Sequence, residues 1–299
     1  MGIFKSIDNF VIIGVGLIGG SVGLGLKKAG YAGKITGLGR RWSSLNNAIE
    51  MGAVDSATLD FNEALRNADM VLVSTPVDII PSMVIKAAEY TPDECIITDA
   101  GSTKAFIVSE VKSSILNAGR FIGAHPMAGS HKSGVTASCT DLFHNSRCII
   151  TPTDSTPPPN MDTVIEMWKM LGAQTEIMSP EEHDFLIAAA SHLPHVTACA
   201  LTRVVSAIEN SKGKAIDFAA TGFADTTRIA AGSPEIWAGI LQQNSVMVSQ
   251  MLEKIEKELA SIRKNLDSGD LDAIYEILQN ARKIRNNIKT KNVKYDKDA

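Results

Sequence analysis

The segment Phe10–Ile13 is short and apolar, and it leads directly into the glycine-rich sequence GVGLIG at positions 14–19. A strand before such a turn and a helix after it give each glycine a separate task. Gly14 permits the tight turn, Gly16 lets the backbone approach a pyrophosphate, and Gly19 lets the helix pack closely on the strand. The first turn of the helix then offers unpaired N–H groups to the phosphates. This pattern predicts a dinucleotide-binding strand–turn–helix unit near the start of the chain.

The residues up to about 178 alternate between short apolar runs and stretches of helix length. Such alternation is typical of a parallel sheet that is covered by helices on both faces. We therefore predict an α/β fold class in which residues 1–178 form a Rossmann-type dinucleotide-binding domain. The predicted strands are Phe10–Ile13, Lys34–Leu38, Met70–Ser74, Cys95–Thr98, Arg120–Gly123, Arg147–Thr151 and Ala173–Ile177. The predicted helices after the glycine turn are Ser43–Met51, Val77–Glu89, Lys104–Ala118 and Met161–Leu171.

From about residue 179 onward the strand pattern disappears and helical periodicity replaces it. The sequence Ser-Pro-Glu at 233–235 has the features of a helix start, and Ser-Gly-Asp at 268–270 has those of a break followed by a new cap. An apolar stripe between them predicts one helix of about 30 residues, roughly 45 Å long. That length exceeds what a small domain needs, so we expect residues 179–299 to form an all-helical domain that makes a homodimer. Burial of the stripe inside one chain is the alternative, and the basic residues 282–297 are expected to be a solvated tail.

Composition limits the classes of partner. The 299 residues include 29 Lys plus Arg and 33 Asp plus Glu, which gives a formal net charge of −4. This balance lacks the basic footprint of a protein that binds nucleic acid or an anionic membrane surface. The apolar run at 10–26 is too short and too rich in glycine for a transmembrane span, and four cysteines without CxxC spacing indicate neither a disulfide scaffold nor a zinc site. We expect small-molecule partners, no nucleic acid, membrane or metal, and a cytoplasmic location.

The residues after the second predicted strand bear on which dinucleotide is bound. A carboxylate at the end of this strand would hydrogen-bond the adenine ribose of NAD. The chain instead has Gly39, Arg40 and Arg41, with Ser43 shortly after, and these side chains could receive a 2′-phosphate through charge-assisted hydrogen bonds. NADP is therefore favoured and NAD stays possible, with a solvated basic loop as the alternative without function. The predicted cofactor-binding residues are Gly14, Gly16, Leu17, Ile18, Gly19, Arg40, Arg41, Ser43, Ser74, Thr75 and Pro76.

Side chains that could carry out chemistry follow the later strands, at the sheet edge where open α/β sheets bind ligands. His125 is the main candidate, because its unperturbed pKa of about 6.5 suits proton transfer at neutral pH. Ser102, at the end of a neighbouring strand, could orient its imidazole. A histidine that is hydrogen-bonded only for structural reasons is the alternative for His125.

The helical part contains further candidates. The motif SHLPH places His192 and His195 three residues apart, on one face of a helix. Zinc bound by this pair with Cys199 is the metal alternative. Arg228 is a lone cation in a segment of small and apolar residues, and such an arginine usually has an anionic partner. That partner is a ligand or, in the structural alternative, Asp225.

The motifs GVGLIGGS, DAGSTK, GAHPMAGSHKSG, SHLPH and GFADTTRIA occur in this order, and over roughly residues 8–260 the chain resembles the prephenate dehydrogenase family of tyrosine biosynthesis. The resemblance implies a Rossmann domain, a helical dimerisation domain, and oxidative decarboxylation of prephenate to 4-hydroxyphenylpyruvate with hydride transfer to NAD(P). By motif, His125 matches the histidine that takes the proton of the ring hydroxyl, and Ser102 matches the serine that positions this histidine and the nicotinamide. Substrate binding is implied for His192, His195, Arg228 and Ser130.

Other functions stay open at this point. Arogenate dehydrogenases share most of these motifs, so arogenate is the alternative substrate. A non-catalytic dinucleotide sensor would not need both His125 and Arg228. A 3-hydroxy-acid dehydrogenase would be expected to use a lysine in the helical half, and none is placed that way in SHLPH or GFADTTRIA. For the favoured function, we expect His125 and Arg228 to converge beside a nucleotide bound at the glycine turn.

Overall fold

The structure, a computed structural model, describes residues 3–129 and 132–288. The chain forms two compact units, the first ending at Val248 and the second beginning at Ser249. The first unit contains both the sheet and the first helices of the predicted helical domain. The predicted limits 1–178 and 179–299 therefore do not coincide with this division in packing, and they stay a prediction.

Eight strands form one sheet in the first unit: β1 (Asn9–Ile13), β2 (Lys34–Leu38), β3 (Ser56–Thr58), β4 (Met70–Val73), β5 (Ile96–Asp99), β6 (Phe121–Pro126), β7 (Arg147–Thr151) and β8 (Gln174–Ile177). Their spatial order is β3-β2-β1-β4-β5-β6-β7-β8. All neighbouring pairs from β3 across to β6 are parallel. The order 3-2-1-4-5-6 is that of the dinucleotide-binding α/β fold, so the predicted fold class is confirmed for this part of the chain.

The direction of β7 corrects the expectation of a parallel sheet. β7 is antiparallel to β6, and β8 is parallel to β7. A parallel neighbour needs a crossover that returns the chain to the opposite end of the sheet, usually through a helix. The described parts of the connection 127–146 contain only a short 3-10 turn, so the chain enters β7 at the edge where it left β6.

Helices cover both faces of the sheet, and these are α1 (Leu17–Lys28), α2 (Trp42–Glu50), α3 (Phe61–Leu65), α4 (Ile80–Tyr90), α5 (Ala105–Ser114) and α6 (Pro158–Met170). Successive residues of β1 point to opposite faces. Phe10 and Ile12 belong to one buried cluster, and Val11 and Ile13 belong to the other. Burial on both faces explains why the strands read as continuous apolar runs.

Element boundaries differ from the predicted ones by a few residues. α5 ends at Ser114 rather than Ala118, because Ile115 is extended with φ −117° and ψ 138°. α6 begins at Pro158 rather than Met161, and proline is favoured in a first helical turn. The short elements β3 and α3 were not predicted, since three to five residues are too few for a periodic pattern.

Four helices follow β8 in the first unit: α7 (Pro180–Ile187), α8 (Leu193–Ala207), α9 (Thr221–Thr227) and α10 (Pro234–Gln243). A π-helical turn (Ala188–His192) joins α7 to α8, and two 3-10 turns (Ala215–Phe218 and Arg228–Ala231) lie on either side of α9. Ser179 begins α7 with a capping box, because its side chain accepts the Glu182 N–H and the Glu182 side chain accepts the Ser179 N–H. A hairpin of two-residue strands, β9 (Glu209–Asn210) and β10 (Gly213–Lys214), interrupts the helices. It corrects the expectation that strands are absent after residue 179.

The helix predicted from Ser233 to Ser268 is two helices, α10 and α11 (Ser245–Ser268). The interruption is at Asn244, whose φ of −107° and ψ of 26° depart from helical values. The Asn244 side chain is buried, and its Nδ2 donates to the carbonyl oxygen of Asp184 at 2.8 Å. This tertiary bond accompanies the break, which the apolar stripe by itself did not reveal.

The second unit consists of most of α11 together with α12 (Leu271–Asn287). Asp270 caps α12, since its Oδ1 accepts the Ala273 N–H at 3.0 Å, and this confirms the predicted break and cap. The predicted tail is helical as far as Asn287, and its residues beyond 288 lie outside the described part. Several large apolar side chains of these two helices are exposed: Leu259, Leu266, Leu271, Tyr275, Leu278 and Ile284.

The continuous helical stretch Pro180–Ala207 is long and apolar enough to cross a membrane by length and composition. It comprises α7, the π-helical turn and α8. Several of its polar side chains, including His183, Asp184 and His192, are buried within the first unit. Each of these three side chains has a hydrogen-bond partner in that unit, as buried polar groups of a folded domain require.

Candidate functional site

The three glycines of the turn after β1 differ in their roles: two are required by the packing of the protein, and one leaves space for a ligand. Gly14 has a φ of +91°, and a Cβ atom there would lie 2.9 Å from Cγ2 of Thr75. A Cβ atom at Gly19 would lie 2.5 Å from Oγ of Ser74 and 2.6 Å from the carbonyl oxygen of Gly14. A Cβ atom at Gly16 would meet no described protein atom within 4 Å. Gly16 is therefore the position where the absent side chain leaves room for a ligand.

A cavity of about 400 Å³ opens at this turn, along the carboxyl ends of β1, β2 and β4. Seven predicted cofactor-binding residues line it: Gly14, Gly16, Arg40, Arg41, Ser74, Thr75 and Pro76. The other four predicted residues are not part of the lining: Leu17, Ile18, Gly19 and Ser43. The first three form the first turn of α1, so their backbone N–H groups are what a phosphate could reach there. Their assignment to a cofactor stays a prediction.

Further lining residues were absent from the prediction, among them Ser44, Phe61 and Lys86. Nζ of Lys86 lies 3.8 Å from the centroid of the Phe61 ring, a cation–π contact between α4 and α3. No local motif marks this pair, because the two side chains come from separate helices. With Arg40 and Arg41, Lys86 gives the cavity three cations, and its described lining contains no carboxylate. This electrostatic environment favours an anionic group.

The segment that follows β6 is attached to the glycine turn. Oγ of Ser138 donates to the carbonyl oxygens of Gly16 and Leu17 at 3.2 and 3.1 Å. Residues 134–135 of the same segment line the cavity. The predicted substrate-binding residue Ser130 lies outside the described residues, so its role stays a prediction.

His125 lies near the end of β6, beside a buried ion pair. Asp99, the last residue of β5, accepts the Ala124 N–H at 3.0 Å through Oδ1 and the Gly101 N–H at 2.9 Å through Oδ2. Its Oδ2 also accepts from Nζ of Lys104, and both side chains are fully buried. The pair thus joins the end of β5 to the residue immediately before His125.

No hydrogen bond between Ser102 and His125 is found among the described residues, so the orientation of the imidazole by Ser102 stays a prediction. Nδ1 of His125 instead lies 2.8 Å from Nε2 of His183. The two rings meet edge to face, with centroids 5.0 Å apart and an angle of 71° between planes. This contact forms because α7, distant in sequence, brings a second imidazole to Nδ1 of His125. The catalytic assignment of His125 and Ser102 stays a prediction.

His183 and Asp184 complete this cluster and were not predicted. Nδ1 of His183 lies 2.7 Å from Oδ1 of Asp184. The two Asp184 oxygens accept the backbone N–H groups of Lys104 and Ala105, at 2.8 and 2.9 Å, where α5 begins. A signal was present in the sequence, since His183 and Asp184 precede the buried Ile187 by four and three residues, the spacing of one helix face. Polar residues on a buried face need partners, and here they are each other and α5.

The histidines of SHLPH lie against one tryptophan. The His195 ring stacks on Trp237 with centroids 3.5 Å apart and 9° between planes, and His192 meets the same indole edge to face at 6.0 Å. Nδ2 of Asn244 lies 3.2 Å from Nδ1 of His192. Nδ1 of His195 is buried and has no hydrogen-bond partner within the described part of the chain. The predicted placement of both histidines on one side of the helical stretch is confirmed.

Burial makes these imidazoles poor bases compared with a histidine in water. It lowers the pKa of His125 well below the usual value, and the nearby His183 and Lys104 act in the same direction. Burial also lowers the pKa of His192 to about 4 and lowers the pKa of His195. All three are therefore neutral near pH 7. They can accept protons or hydrogen bonds, but they do not supply charge to bind a carboxylate.

Arg228 opens the 3-10 turn Arg228–Ala231 and its side chain is exposed. The turn leads into Gly232, where an added Cβ atom would lie 3.3 Å from Cε1 of His195. The backbone after Arg228 thus packs against one proposed substrate-binding residue, and the expected convergence of Arg228 with His125 stays a prediction. Over residues 3–129 and 132–288, no group of three or more His, Cys, Asp or Glu side chains could hold a metal ion, which leaves the zinc alternative with Cys199 without support.

Comparison with known proteins covers both parts of the chain. Residues 22–177 match the family described as prephenate dehydrogenase, nucleotide-binding domain, and residues 179–280 match prephenate dehydrogenase, dimerization domain. The chain is 33% identical over 282 residues to a prephenate dehydrogenase of Bacillus subtilis, a match that covers 94% of this chain and 76% of that relative.

Solved structures agree. A prephenate dehydrogenase from Aquifex aeolicus, in complex with hydroxyphenyl propionate and NAD+, has a TM-score of 0.89 and 31% identity, over 94% of this chain and 98% of that one. An arogenate dehydrogenase from Synechocystis has a TM-score of 0.81 and 26% identity, over 93% and 99% of the two chains. With two family domains matched in order and the glycine turn and histidine cluster in place, the chain belongs to the prephenate dehydrogenase family of oxidoreductases.

Proposed function

We propose that this chain oxidatively decarboxylates prephenate to 4-hydroxyphenylpyruvate, using NADP. The observation that carries the proposal is the placement of His125, a neutral imidazole at the same carboxyl-terminal sheet edge as the cavity of the glycine turn. Open α/β sheets bind their ligands at this edge. A neutral imidazole there can receive the proton of a substrate hydroxyl as hydride leaves the same carbon.

The residues then have separate tasks. A nicotinamide dinucleotide held at the glycine turn, in the cavity lined by Gly14, Gly16 and Thr75, would supply the hydride acceptor. His125 takes the hydroxyl proton, and the ring carboxylate leaves as carbon dioxide, so that the electrons of the broken C–C bond make the ring aromatic. The ring oxygen then takes the proton back from His125, which gives the phenol of 4-hydroxyphenylpyruvate. Because aromatisation drives this loss, the chain mainly needs to orient the reacting groups and hold the proton. The buried Asp99–Lys104 pair serves that orientation, since it holds the residue preceding His125.

Substrate binding needs both a cation and hydrogen-bonding groups. Prephenate has two carboxylates, and the neutral His192 and His195 cannot balance them. We assign the cation to Arg228, on the turn that precedes Gly232 and the His195 ring. The buried Nδ1 of His195 lacks a partner within the described residues and is suited to a polar substrate group.

The function is tested by a matrix of prephenate or arogenate with NADP or NAD, followed by the absorbance of the reduced nicotinamide. We expect turnover with prephenate and NADP, and preferential turnover of arogenate would assign the alternative substrate. His125→Asn should lower kcat by about 10²- to 10⁴-fold, as loss of a general base does. The exposed His144→Asn is the matched control and should leave kcat unchanged. Unchanged turnover in His125→Asn would exclude its proposed role.

The preference for NADP is supported by the three cations of the cavity, Arg40, Arg41 and Lys86. A 2′-phosphate offers such groups charge-assisted hydrogen bonds that a ribose hydroxyl does not. The double variant Arg40→Ala with Arg41→Ala should weaken NADP binding far more than NAD binding. Arg263→Ala, an exposed arginine on α11, is the control and should change neither. Equal weakening of both cofactors would refute the 2′-phosphate interpretation.

We also propose that the protein is a homodimer formed by its C-terminal helices. The match to a dimerization domain and the exposed apolar side chains of α12 support this assembly. Leu271 and Leu278 are 76% and 65% exposed, and changing both to Glu should convert the dimer to a monomer in analytical ultracentrifugation. Leu116→Glu, at a fully exposed residue outside these helices, should leave the dimer intact. A monomeric wild-type chain would contradict the proposal.

A cytoplasmic location is likewise proposed, because Pro180–Ala207 carries buried polar residues of the candidate site. A chain that spans a membrane through this stretch would have to withdraw those residues from their partners. Cell fractionation should therefore recover the protein and its activity without detergent. Recovery only with the membranes would contradict the expected location and the absence of a membrane partner.

A further inference from the structure

The proton-accepting atom of His125 depends on which of its ring nitrogens carries hydrogen in the neutral form. A neutral imidazole has one N–H donor and one lone-pair acceptor, and the partner of one nitrogen determines the role of the other. Nδ1 of His125 is engaged by Nε2 of His183 at 2.8 Å. The tautomer of His183 therefore determines the tautomer of His125.

Asp184 determines the tautomer of His183. Its two oxygens already accept two backbone N–H groups where α5 begins, at 2.8 and 2.9 Å, an arrangement that favours the ionised carboxylate. An ionised carboxylate can only accept hydrogen bonds. Since Oδ1 of Asp184 lies 2.7 Å from Nδ1 of His183, that nitrogen carries the proton.

The tautomer of His183 determines in turn which ring nitrogen of His125 carries hydrogen. Neutral His183, with hydrogen on Nδ1, presents a lone pair at Nε2. Nδ1 of His125 must then be the donor, which leaves the lone pair of His125 on Nε2. His183 is kept neutral by burial, which lowers its pKa against the opposing effect of Asp184. The other charged groups facing the pair are Asp99 and Lys104, which form a buried ion pair and act in opposite directions on the pKa of His183.

We propose that His183, held by Asp184, is a positioning residue that keeps the proton of His125 on Nδ1 and leaves Nε2 as the base of the reaction. The inference rests on the proposed function for the role of His125. It adds a residue that touches neither substrate nor cofactor in the proposed mechanism. As His125 accepts the substrate proton, the hydrogen bond to His183 and the Asp184 carboxylate beyond it stabilise the imidazolium.

The position of the proton can be read without measuring activity. Nitrogen-15 NMR of histidine-labelled protein distinguishes a protonated from an unprotonated ring nitrogen, and the His125→Asn spectrum assigns the His125 signals among the six histidines of the chain. We expect His125 to be protonated at Nδ1 and unprotonated at Nε2 at neutral pH. A proton on Nε2 of His125 in the wild-type chain would overturn the proposal.

Two substitutions of His183 test its role. His183→Leu removes the acceptor for the His125 proton and should lower kcat by about 10- to 100-fold, the usual effect of losing an orienting partner, with KM for prephenate nearly unchanged. His183→Gln can still accept from His125 through its amide oxygen and donate to Asp184 through its amide nitrogen, so it should restore most of kcat and the Nδ1 proton. The exposed His144→Leu is the control and should change neither quantity.

The outcomes separate the two proposals. Equal losses of kcat in His183→Leu and His183→Gln, with the wild-type His125 tautomer retained in both, would refute the positioning role. If His183→Leu does not fold, the wild-type spectrum and the Gln variant still decide the question. Unchanged turnover in His125→Asn refutes the role of His125 as the base in the proposed function, whereas the NMR result on the His125 proton is obtained independently of turnover.

Discussion

Two glycines of the turn after β1 should respond in opposite ways to the same added methyl group. At Gly16 the backbone has φ −100° and ψ −153°, which alanine can adopt, and the Cβ would meet no described protein atom within 4 Å. At Gly19 the Cβ would lie 2.5 Å from Oγ of Ser74 and 2.6 Å from the carbonyl oxygen of Gly14. The hydroxyl can rotate away, but the carbonyl belongs to the backbone of the turn and cannot yield without moving the turn.

The magnitudes follow from these contacts. Overpacking of this kind costs about 1–3 kcal/mol, and because one of the contacting atoms is backbone we expect about 3 kcal/mol for Gly19→Ala. In a unit of this size that corresponds to a decrease in Tm of roughly 6–12 °C. Gly16→Ala should leave the free energy of unfolding unchanged or raise it by up to about 1 kcal/mol, because alanine lowers the conformational entropy of the unfolded chain. Its methyl group occupies the space where a pyrophosphate would approach, so NADP should bind about 10- to 100-fold more weakly, or about 1.4–2.8 kcal/mol.

Thermal unfolding measured with and without NADP separates the two effects. Gly16→Ala should unfold like the wild-type chain in the absence of NADP, and it should lose most of the increase in Tm that NADP produces. Gly19→Ala should have a lower Tm in the absence of NADP. Isothermal titration calorimetry then gives the dissociation constants directly. The reasoning is refuted if Gly16→Ala binds NADP as tightly as the wild-type protein, or if it is destabilised as much as Gly19→Ala.

The structure supports three further predictions. Lys104→Met removes the cation of a buried pair and should lower the free energy of unfolding by about 3–5 kcal/mol. Lys257→Met, in an exposed pair, should lower it by less than about 1 kcal/mol. Denaturant unfolding of both variants measures these changes, and equal losses would contradict the prediction. Because burial lowers the pKa of His192 to about 4, the unfolded chain binds more protons than the folded chain below the ordinary value of about 6.5. The contribution of neutral His192 to the free energy of unfolding should therefore be fully present above about pH 6.5, and up to roughly 3 kcal/mol should be lost as the pH decreases to about 4. A His192→Gln variant with the same pH dependence would exclude His192 as its cause. Arg228→Ala should raise KM for prephenate by about 30-fold, or about 2 kcal/mol, with a smaller change in kcat; steady-state kinetics with unaltered KM would make Arg228 structural.

The parts of the fold that could be predicted are those with a local periodic signal. Continuous apolar runs such as Met70–Val73 identify strands because both faces of the sheet are buried. No local pattern indicates the direction of β7, because an apolar run has the same sequence pattern in a parallel and in an antiparallel strand. The break at Asn244 is similar, because the apolar stripe continues across it while the bond of its side chain to Asp184 is tertiary.

In the candidate site too, the residues with a local sequence signal were predictable and the contacts between distant elements were not. His125 was predictable because it follows a strand at the ligand-binding edge, and the SHLPH histidines because their spacing places them on one side of a helix. The His125–His183 bond was not, because 58 residues separate its partners and nothing local favours either the Ser102 or the His183 alternative. Lys86 was missed from the cavity for the same reason.

The amino-acid sequence by itself determined the glycine turn, the α/β class and the family. Each depends on residues adjacent in the chain or on apolar residues that repeat every two to four positions. Tertiary structure decided which imidazole meets His125, which cations surround the cavity and where the long helix breaks. These are contacts between side chains on separate elements, and their formation depends on how the burial of apolar faces orients whole helices against the sheet. A local pattern encodes which face of a helix is buried, but the partner of each polar atom on that face exists only once the elements are packed together.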